Sequence, residues 1–347
     1  MAPTEVLASQ HYENLSKIIV DNKIDIKVAF LSASITIKEK KDIKEKIKKG
    51  MIDIVIGTHA VITNDVEFNN LSMVIIDEQQ RFGVNQRKML EEKGDKVNII
   101  HLSATPIPRT LSLMLFSGLD ISKIDEKPDD RVSIKTAIID AGSREKAYNL
   151  MLNEIDKGNR CYVVCPMIDE EKDEEIDNNY ESVKEYAKKI DAYVSKMNKK
   201  EDVKIGILHG KMKQKEKDKT MKDFYNGDIN VLVSTTVIEV GIDCKDATFM
   251  MIENAENYGL ATLHQLRGRV GRSDKQSFCI FVDTLQSERS KERLQVLFDS
   301  NDGFYIADQD LKLRGAGDVF GIRQSGEMGF KIGDIYNDKK ILEIALD

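Results

Sequence analysis

A chain of 347 residues with 41% hydrophobic and 32% charged residues is long enough to bury two full cores and too apolar to be disordered. No apolar run reaches the roughly 18 residues needed to span a bilayer, and the amino end lacks the basic-then-apolar order of a secretion signal, so the sequence reads as a cytoplasmic protein with no membrane partner. With a net charge of −7 there is no global basic field, and any contact with nucleic acid has to come from a local surface.

Along the chain, apolar runs of strand length alternate with segments of helical period, the pattern of βα units around a parallel sheet. The first third carries the runs "KVAFL", "DIVIGTH", "MVIIDE" and "VNIIHLSAT". Between the first two, "ITIKEKKDIKEKIKKG" from Ile35 to Gly50 has isoleucines at helical spacing and a closing glycine, which predicts an amphipathic surface helix with a solvated lysine face. The run "MVII" leads straight into Asp77 and Glu78. It reads as a buried strand delivering two carboxylates to its carboxyl end, the edge at which open α/β sheets bind ligands.

Around "DEKPDDRVS" the periodicity lapses into charge and proline, a linker signal. A second series follows: "IKTAIID", "RCYVVCPMI", "KIGILHG", "INVLVSTTV", "ATFMMIEN" and "SFCIFVD". The acidic stretch "DEEKDEEIDNNYES" inside it reads as a solvated insertion ahead of a helix. Cys161, Cys165, Cys244 and Cys279 are too few for a disulfide framework, and their apolar neighbours predict buried thiols on strands. Cys161 and Cys165 lack both the C-x-x-C spacing and a second ligand pair for zinc. After Asp283 come two helical segments and the glycine-rich "LRGAGDVFGIRQSGE", an appendage too small for its own core.

Two successive βα series with an acid pair in the first suggest a nucleotide clamped between domains, and the complementary charge is in "HQLRGRVGR". This segment carries Gln265, Arg267, Arg269 and Arg272 and is too arginine-dense to read as core. Arginines placed against a γ-phosphate stabilise charge in the transition state and contribute roughly 10³ to 10⁵ in rate. Taken without the carboxylates, the arginines fit a basic surface helix equally well.

In this order, "MAPTE", "IGTHA", "IIDEQQRFGV", "SATPIPRTL", "VSTTVIEVGID", "HQLRGRVGR" and "DLKLRGAGDVFGIRQSG" closely resemble the superfamily 2 helicases, and within them the RecG family of branched-DNA translocases. The transcription-repair coupling factors share the last motif, but "DEQQRFGV" is nearer the RecG form. The resemblance implies an α/β fold with two RecA-like parallel sheets in tandem, the first truncated, plus a C-terminal helical hairpin and loop. The expected boundaries are a first domain over 1–126, a linker over 127–133, a second domain over 134–283, and the hairpin with the translocation motif over 284–347.

The resemblance also implies roles. Asp77 holds Mg²⁺ through water, and Glu78 orients or deprotonates the water that attacks ATP. Arg269 and Arg272 are the arginine fingers, with Gln265 beside them, and Gly241 and Asp243 approach the nucleotide. Thr4, Thr58, His59, Ser234, Thr235 and Thr236 contact the phosphodiester backbone, although each threonine also fits an ordinary strand-end cap. Ser103 and Thr105 couple nucleotide state to domain motion, and Arg314, Arg323 and Gln324 convert closure into a step along duplex DNA. Gln80 stands where the family typically has histidine.

The sequence contains no G-x-x-x-x-G-K-[ST] phosphate loop, its one Gly-Lys pair being Gly210–Lys211 followed by Met212. The resemblance places that loop, and the wedge domain that splits forks, ahead of "MAPTE". The expectation is therefore a helicase-region fragment of an ATP-dependent, monomeric translocase of replication forks and Holliday junctions, with negligible ATPase of its own. The alternative is a non-catalytic module that binds DNA or protein. The first sheet, missing its central strand, is expected to expose an apolar edge and to self-associate or lose order.

Overall fold

Each of the ten apolar runs becomes a strand in the computed structural model, which describes residues 1–104, 120–124, 126, 132–166, 183–199, 201–239 and 244–314. The described residues form two units, the first within Met1–Ala104 and the second carried by the described residues beyond it. Most of the linker over 127–133, the acidic stretch before residue 183 and the glycine-rich segment after residue 314 lie outside the described residues.

The first unit runs α1 (Glu5–Asp21), β1 (Val28–Leu31), α2 (Ile37–Lys48), β2 (Ile54–Gly57), β3 (Met73–Ile76), α3 (Val84–Glu91) and β4 (Asn98–His101). Its strands make two separate parallel pairs, β1 with β2 and β3 with β4. Helix α2 starts at a capping box in which the Thr36 hydroxyl takes the Glu39 N–H and the Glu39 carboxylate takes the Thr36 N–H, an arrangement that satisfies two orphan donors of the first turn. It buries only Ile47, and Lys44, Lys46 and Lys48 pair with Asp65, Asp42 and Glu67. The lysine face is solvated, as its charge pattern indicates. Leu31, Ile47, Val61, Ile76, Phe82 and Leu90 form the centre of this unit's core.

Strand β3 departs from the sequence reading. Val74 and Ile76 are buried, but Met73 is 51% and Ile75 45% exposed. A run of four apolar residues predicts cover on both faces, whereas β3 has cover on one. Ile100, the β4 partner of Ile75, is exposed on the same side.

The second unit is a six-stranded parallel sheet of order β5-β10-β9-β6-β8-β7, from β5 (Lys135–Asp140), β6 (Arg160–Val164), β7 (Ile205–Leu208), β8 (Val231–Ser234), β9 (Ala247–Ile252) and β10 (Phe278–Asp283). Between and after the strands run α4 (Arg144–Asp156), α5 (Val183–Lys196), α6 (Gln214–Asn226), α7 (Leu260–Arg267), α8 (Glu288–Asp299) and α9 (Gly303–Arg314). Every residue of β8 and β9 is buried, as expected of central strands covered by helices on both faces. The chain leaves β6 towards β7 on one side and β9 towards β10 on the other, so the order reverses between β6 and β9. Such a switch point opens a crevice at the carboxyl ends of the two strands.

All four cysteines are buried. Cys161 lies on β6 and Cys279 on β10, Cys165 follows β6 directly, and Cys244 sits in a loop ahead of β9 instead of on a strand. Burial pushes the Cys279 thiol up to about 12 and Cys161 well above its ordinary value. Since the thiolate is the reactive form, an aromatic disulfide reagent at pH 8 is expected to modify the native chain only as fast as it opens, and to modify four thiols promptly in denaturant. Rapid reaction of even one thiol in the native chain would contradict this burial.

Candidate active site

Asp77 and Glu78 follow β3 directly. Two consecutive strand residues aim at opposite faces, but Glu78 takes φ +50°, the left-handed region that non-glycine residues enter at a cost of about 1–3 kcal/mol. The turn separates two environments. Asp77 is half-buried, accepts the Glu78 N–H on Oδ1 at 2.9 Å, and accepts His11 Nε2 from α1 on Oδ2 at 2.8 Å. The histidine hydrogen bond holds the Asp77 carboxyl below its ordinary range. Glu78 is 8% exposed and accepts Gln80 Nε2 at 2.6 Å, while Gln80 Oε1 accepts the Ser103 hydroxyl at 3.3 Å. An amide can donate at one end and accept at the other, so Gln80 joins the acid to the segment after β4.

The arginine segment divides in two. Arg267, on the last turn of α7, is 2% exposed and corrects the reading of the whole segment as surface. Its Nη1 donates to Leu297 O at 2.5 Å and its Nη2 to Ser300 O at 3.0 Å, with His264 Nδ1 also 3.0 Å from Nη2. Those carbonyls end α8, where backbone acceptors have no partner within the helix, and a buried guanidinium supplies the donors. Arg269 and Arg272 lie in the turn beyond, partly exposed, with Arg272 Nε donating to Gly268 O at 2.9 Å. Gly271 in the same turn has φ +72°, and a Cβ there would meet Ile134 at 2.7 Å. Gln265 lies on α7, partly exposed.

Among the other candidates, Thr4 caps α1, its hydroxyl accepting the Leu7 N–H at 3.3 Å. Thr58 precedes a short 3₁₀ turn that contains His59, an exposed residue whose ring packs against Phe82 at a 50° tilt with centroids 5.2 Å apart. Ser234 and Thr235 are buried, the Ser234 hydroxyl donating to Thr235 O at 2.7 Å, and Thr236 is partly exposed. Ser103 is exposed. Gly241, Asp243, Thr105, Arg323 and Gln324 lie outside the described residues, as does the side chain of Arg314.

The second unit holds a polar group that composition and spacing did not single out. At the carboxyl end of β9, Glu253 is 2% exposed and accepts Arg144 Nε at 3.0 Å and Nη2 at 2.7 Å. The Tyr186 hydroxyl also donates to Glu253, and Tyr148 shares a 2.7 Å hydrogen bond with Tyr186. The signal was present: "IIDEQQRFGV" and "MIENAENYGL" are two versions of one turn. In each, an acid ends the strand, a left-handed residue follows (Glu78 at φ +50°, Asn254 at φ +48°), and a 3₁₀ turn leads through an aromatic and a glycine into a helix.

Two successive parallel α/β units, with an acid pair closing a strand of the first and an arginine turn after a helix of the second, have the RecA-like fold found in helicases. Residues 1–114 match the DEAD/DEAH box helicase family, residues 143–274 the helicase conserved C-terminal domain, and residues 300–347 the C-terminal part of domain 3 of ATP-dependent DNA helicase RecG. Along its whole length the chain is similar to the RecG helicases. It is 44% identical over its whole length to the ATP-dependent DNA helicase RecG of Staphylococcus aureus and 42% identical to that of Staphylococcus epidermidis. In both comparisons it covers 49% of the relative, so the chain spans about half the length of the curated relatives it matches. A solved RecG bound to a three-way DNA junction is 41% identical and superposes with a TM-score of 0.76, over 99% of this chain and 43% of that one. The helicase MrfA bound to DNA and AMPPNP, 17% identical with a TM-score of 0.61 over 96% of this chain and 52% of that one, shares the fold.

Proposed function

We propose that the chain is the motor region of an ATP-dependent translocase of double-stranded DNA that acts on branched DNA, replication forks and Holliday junctions among them. The observation that carries the reading is the acid turn at the end of β3, where Asp77 is kept ionised by His11 and Glu78 is oriented by Gln80, within a chain related to RecG from end to end.

Asp77 fits a Mg²⁺ site of the kind that takes one or two carboxylates and completes its shell with phosphates and water, and no cluster of three or more candidate metal ligands exists among the described residues. When bound, Mg²⁺ supplies neutralisation of phosphate charge. Glu78 orients and deprotonates the attacking water. Its burial keeps competing solvent away, and the Gln80–Ser103 connection passes its position to the segment after β4. Arg269 and Arg272 stabilise charge on the transferred phosphoryl group, while Gln265, Gly241 and Asp243 bind the nucleotide. Thr4, Thr58, His59 and Thr236 line the path of the DNA backbone, and the buried Ser234 and Thr235 hold the turn that presents Thr236. Ser103 with Thr105, and Arg314 with Arg323 and Gln324, relay closure into movement.

The test joins this chain to the remainder of the Staphylococcus aureus relative. The chain alone is expected to hydrolyse ATP no faster than its Asp77→Asn, Glu78→Gln variant, because its 347 residues contain no phosphate-loop signature. The hybrid should hydrolyse ATP with stimulation by forked DNA, and Arg269→Ala in the hybrid should lower turnover by roughly 10³-fold. The chain's own binding to forked DNA, weakening steeply with salt, provides a readout independent of the hybrid's folding. A folded hybrid with no fork-stimulated turnover, together with a chain that does not prefer forks over linear duplex, would reject the reading.

A further inference from the structure

The loop that follows β2, from Thr58 to Val66, is held at two places by the chain that follows the acid turn. At its start the His59 ring packs against Phe82. At its end the Lys93 ammonium donates to Thr63 O and to Val66 O, both at 2.8 Å. Phe82 lies just before α3 and Lys93 just after it, so the two ends of one helix grip one loop. Gly94 lets the lysine reach the turn. A Cβ at Gly94 would lie 2.7 Å from Leu71 O, and without one the chain leaving α3 runs close against the segment that leads into β3.

Thr63 to Val66 is a four-residue turn closed by the Val66 N–H on Thr63 O at 3.0 Å. One cation takes the carbonyls at both ends of it, 30 and 27 residues away in the chain. An ammonium has three donors on a compact head and can serve acceptors that approach from different directions. Val61, Ile62 and Val66 of the loop share an apolar cluster with Phe82 and Leu90, but apolar burial is non-directional and does not fix where the loop's polar groups point. Lys44 and Lys48 also pair nearby, with Asp65 and Glu67. Those carboxylates are exposed, and such pairs contribute little. The directional restraint on the loop backbone comes from Lys93.

We infer that Lys93 is a positioning residue for DNA, holding the loop so that Thr58 and His59 already stand where the phosphodiester backbone meets them. The inference rests on the reading of Thr58 and His59 as DNA contacts given above and adds the residue that sets their position. Lys93 acts without touching DNA, because its ammonium is committed to the two carbonyls. Its effect on affinity is one of pre-organisation: a loop that is ordered before the encounter loses less conformational freedom when it binds. The same lysine ties the loop to the helix that starts from the acid turn, so the contact with DNA and the carboxylates after β3 belong to one restrained segment of the first unit.

The experiment measures amide hydrogen exchange and forked-DNA binding at pH 8 for the chain and its Lys93→Met, Lys93→Arg, His59→Ala and Lys93→Met, His59→Ala variants. Lys93→Met is expected to speed exchange at Val61, Ile62 and Val66, whose N–H groups bond within the loop, by about tenfold. It should raise Kd for the fork by about tenfold, with Lys93→Arg between it and the parent in both. The salt dependence of binding should keep its slope, and Lys93→Met should add far less in the His59→Ala background. Exchange at Leu31 and Ile76, buried in the first unit, reports that the unit is folded; if Lys93→Met opens it altogether, Lys93→Arg carries the comparison. A looser loop with unchanged Kd would overturn the inference. So would a slope lowered by about one, since Lys93 would then neutralise a phosphate itself. A parent chain whose fork binding is indifferent to His59→Ala rejects the loop as a DNA contact, and the inference falls with that reading instead of on the lysine.

Discussion

Arg144→Ala lowers the stability of the second unit by about 3 kcal/mol, the lower end of the range for removing one partner of a buried ion pair. The lower end applies because Arg144 keeps 25% of its side chain exposed while Glu253 keeps 2%, so water replaces part of what the guanidinium supplied. The loss is still large, since among the described residues Glu253 is left with its tyrosine partner and a buried carboxylate without a counterion is costly. Glu253→Gln, which removes the charge and keeps an acceptor for Arg144 and Tyr186, should cost less. The double variant Arg144→Ala, Glu253→Gln should be destabilised by less than the sum of the two, because the second change removes the charge stranded by the first. Urea unfolding of the four proteins measures this. Strict additivity would show that the two side chains contribute independently despite their 2.7 Å contact.

Arg267→Met is the second substitution with a large expected effect, about 2–4 kcal/mol. Methionine fills much of the space but donates nothing, so Leu297 O and Ser300 O lose their donor inside the protein, at about 1–3 kcal/mol for each buried group left unsatisfied. Arg267→Lys is expected to recover less than half of the loss. A single ammonium cannot reproduce a planar fork that reaches two carbonyls and an imidazole at once. Local exchange distinguishes this from general destabilisation, since amides at the carboxyl end of α8 should open ahead of the β9 core. If α8 were no more exposed in the variant than β9, the guanidinium would not be what ties that helix end to α7.

The strands were legible because a parallel sheet writes itself as apolar runs, and the runs from "KVAFL" to "SFCIFVD" all became strands. The exposure of Met73 and Ile75 was not legible, because cover on a face depends on what else packs there and not on the run itself. The acid pair was evident from its place after β3, but its partner His11 lies 66 residues away on a helix with no local signal pointing to Asp77. Arginine density failed as a guide to exposure in "HQLRGRVGR", because one of the arginines answers the carbonyls of a helix end found only in three dimensions. Glu253 could have been found by laying the two strand-end turns side by side, since the left-handed residue and the following glycine recur at matching positions.

That recurrence makes the molecule a duplicated device whose copies have diverged in charge. In the first copy the strand-end acid has a half-exposed histidine as its side-chain partner, at the surface. In the second, a cation would have to evict a bidentate guanidinium and a tyrosine hydroxyl from the interior. The same backbone turn thus carries an accessible acid in one unit and a buried, electrostatically satisfied one in the other.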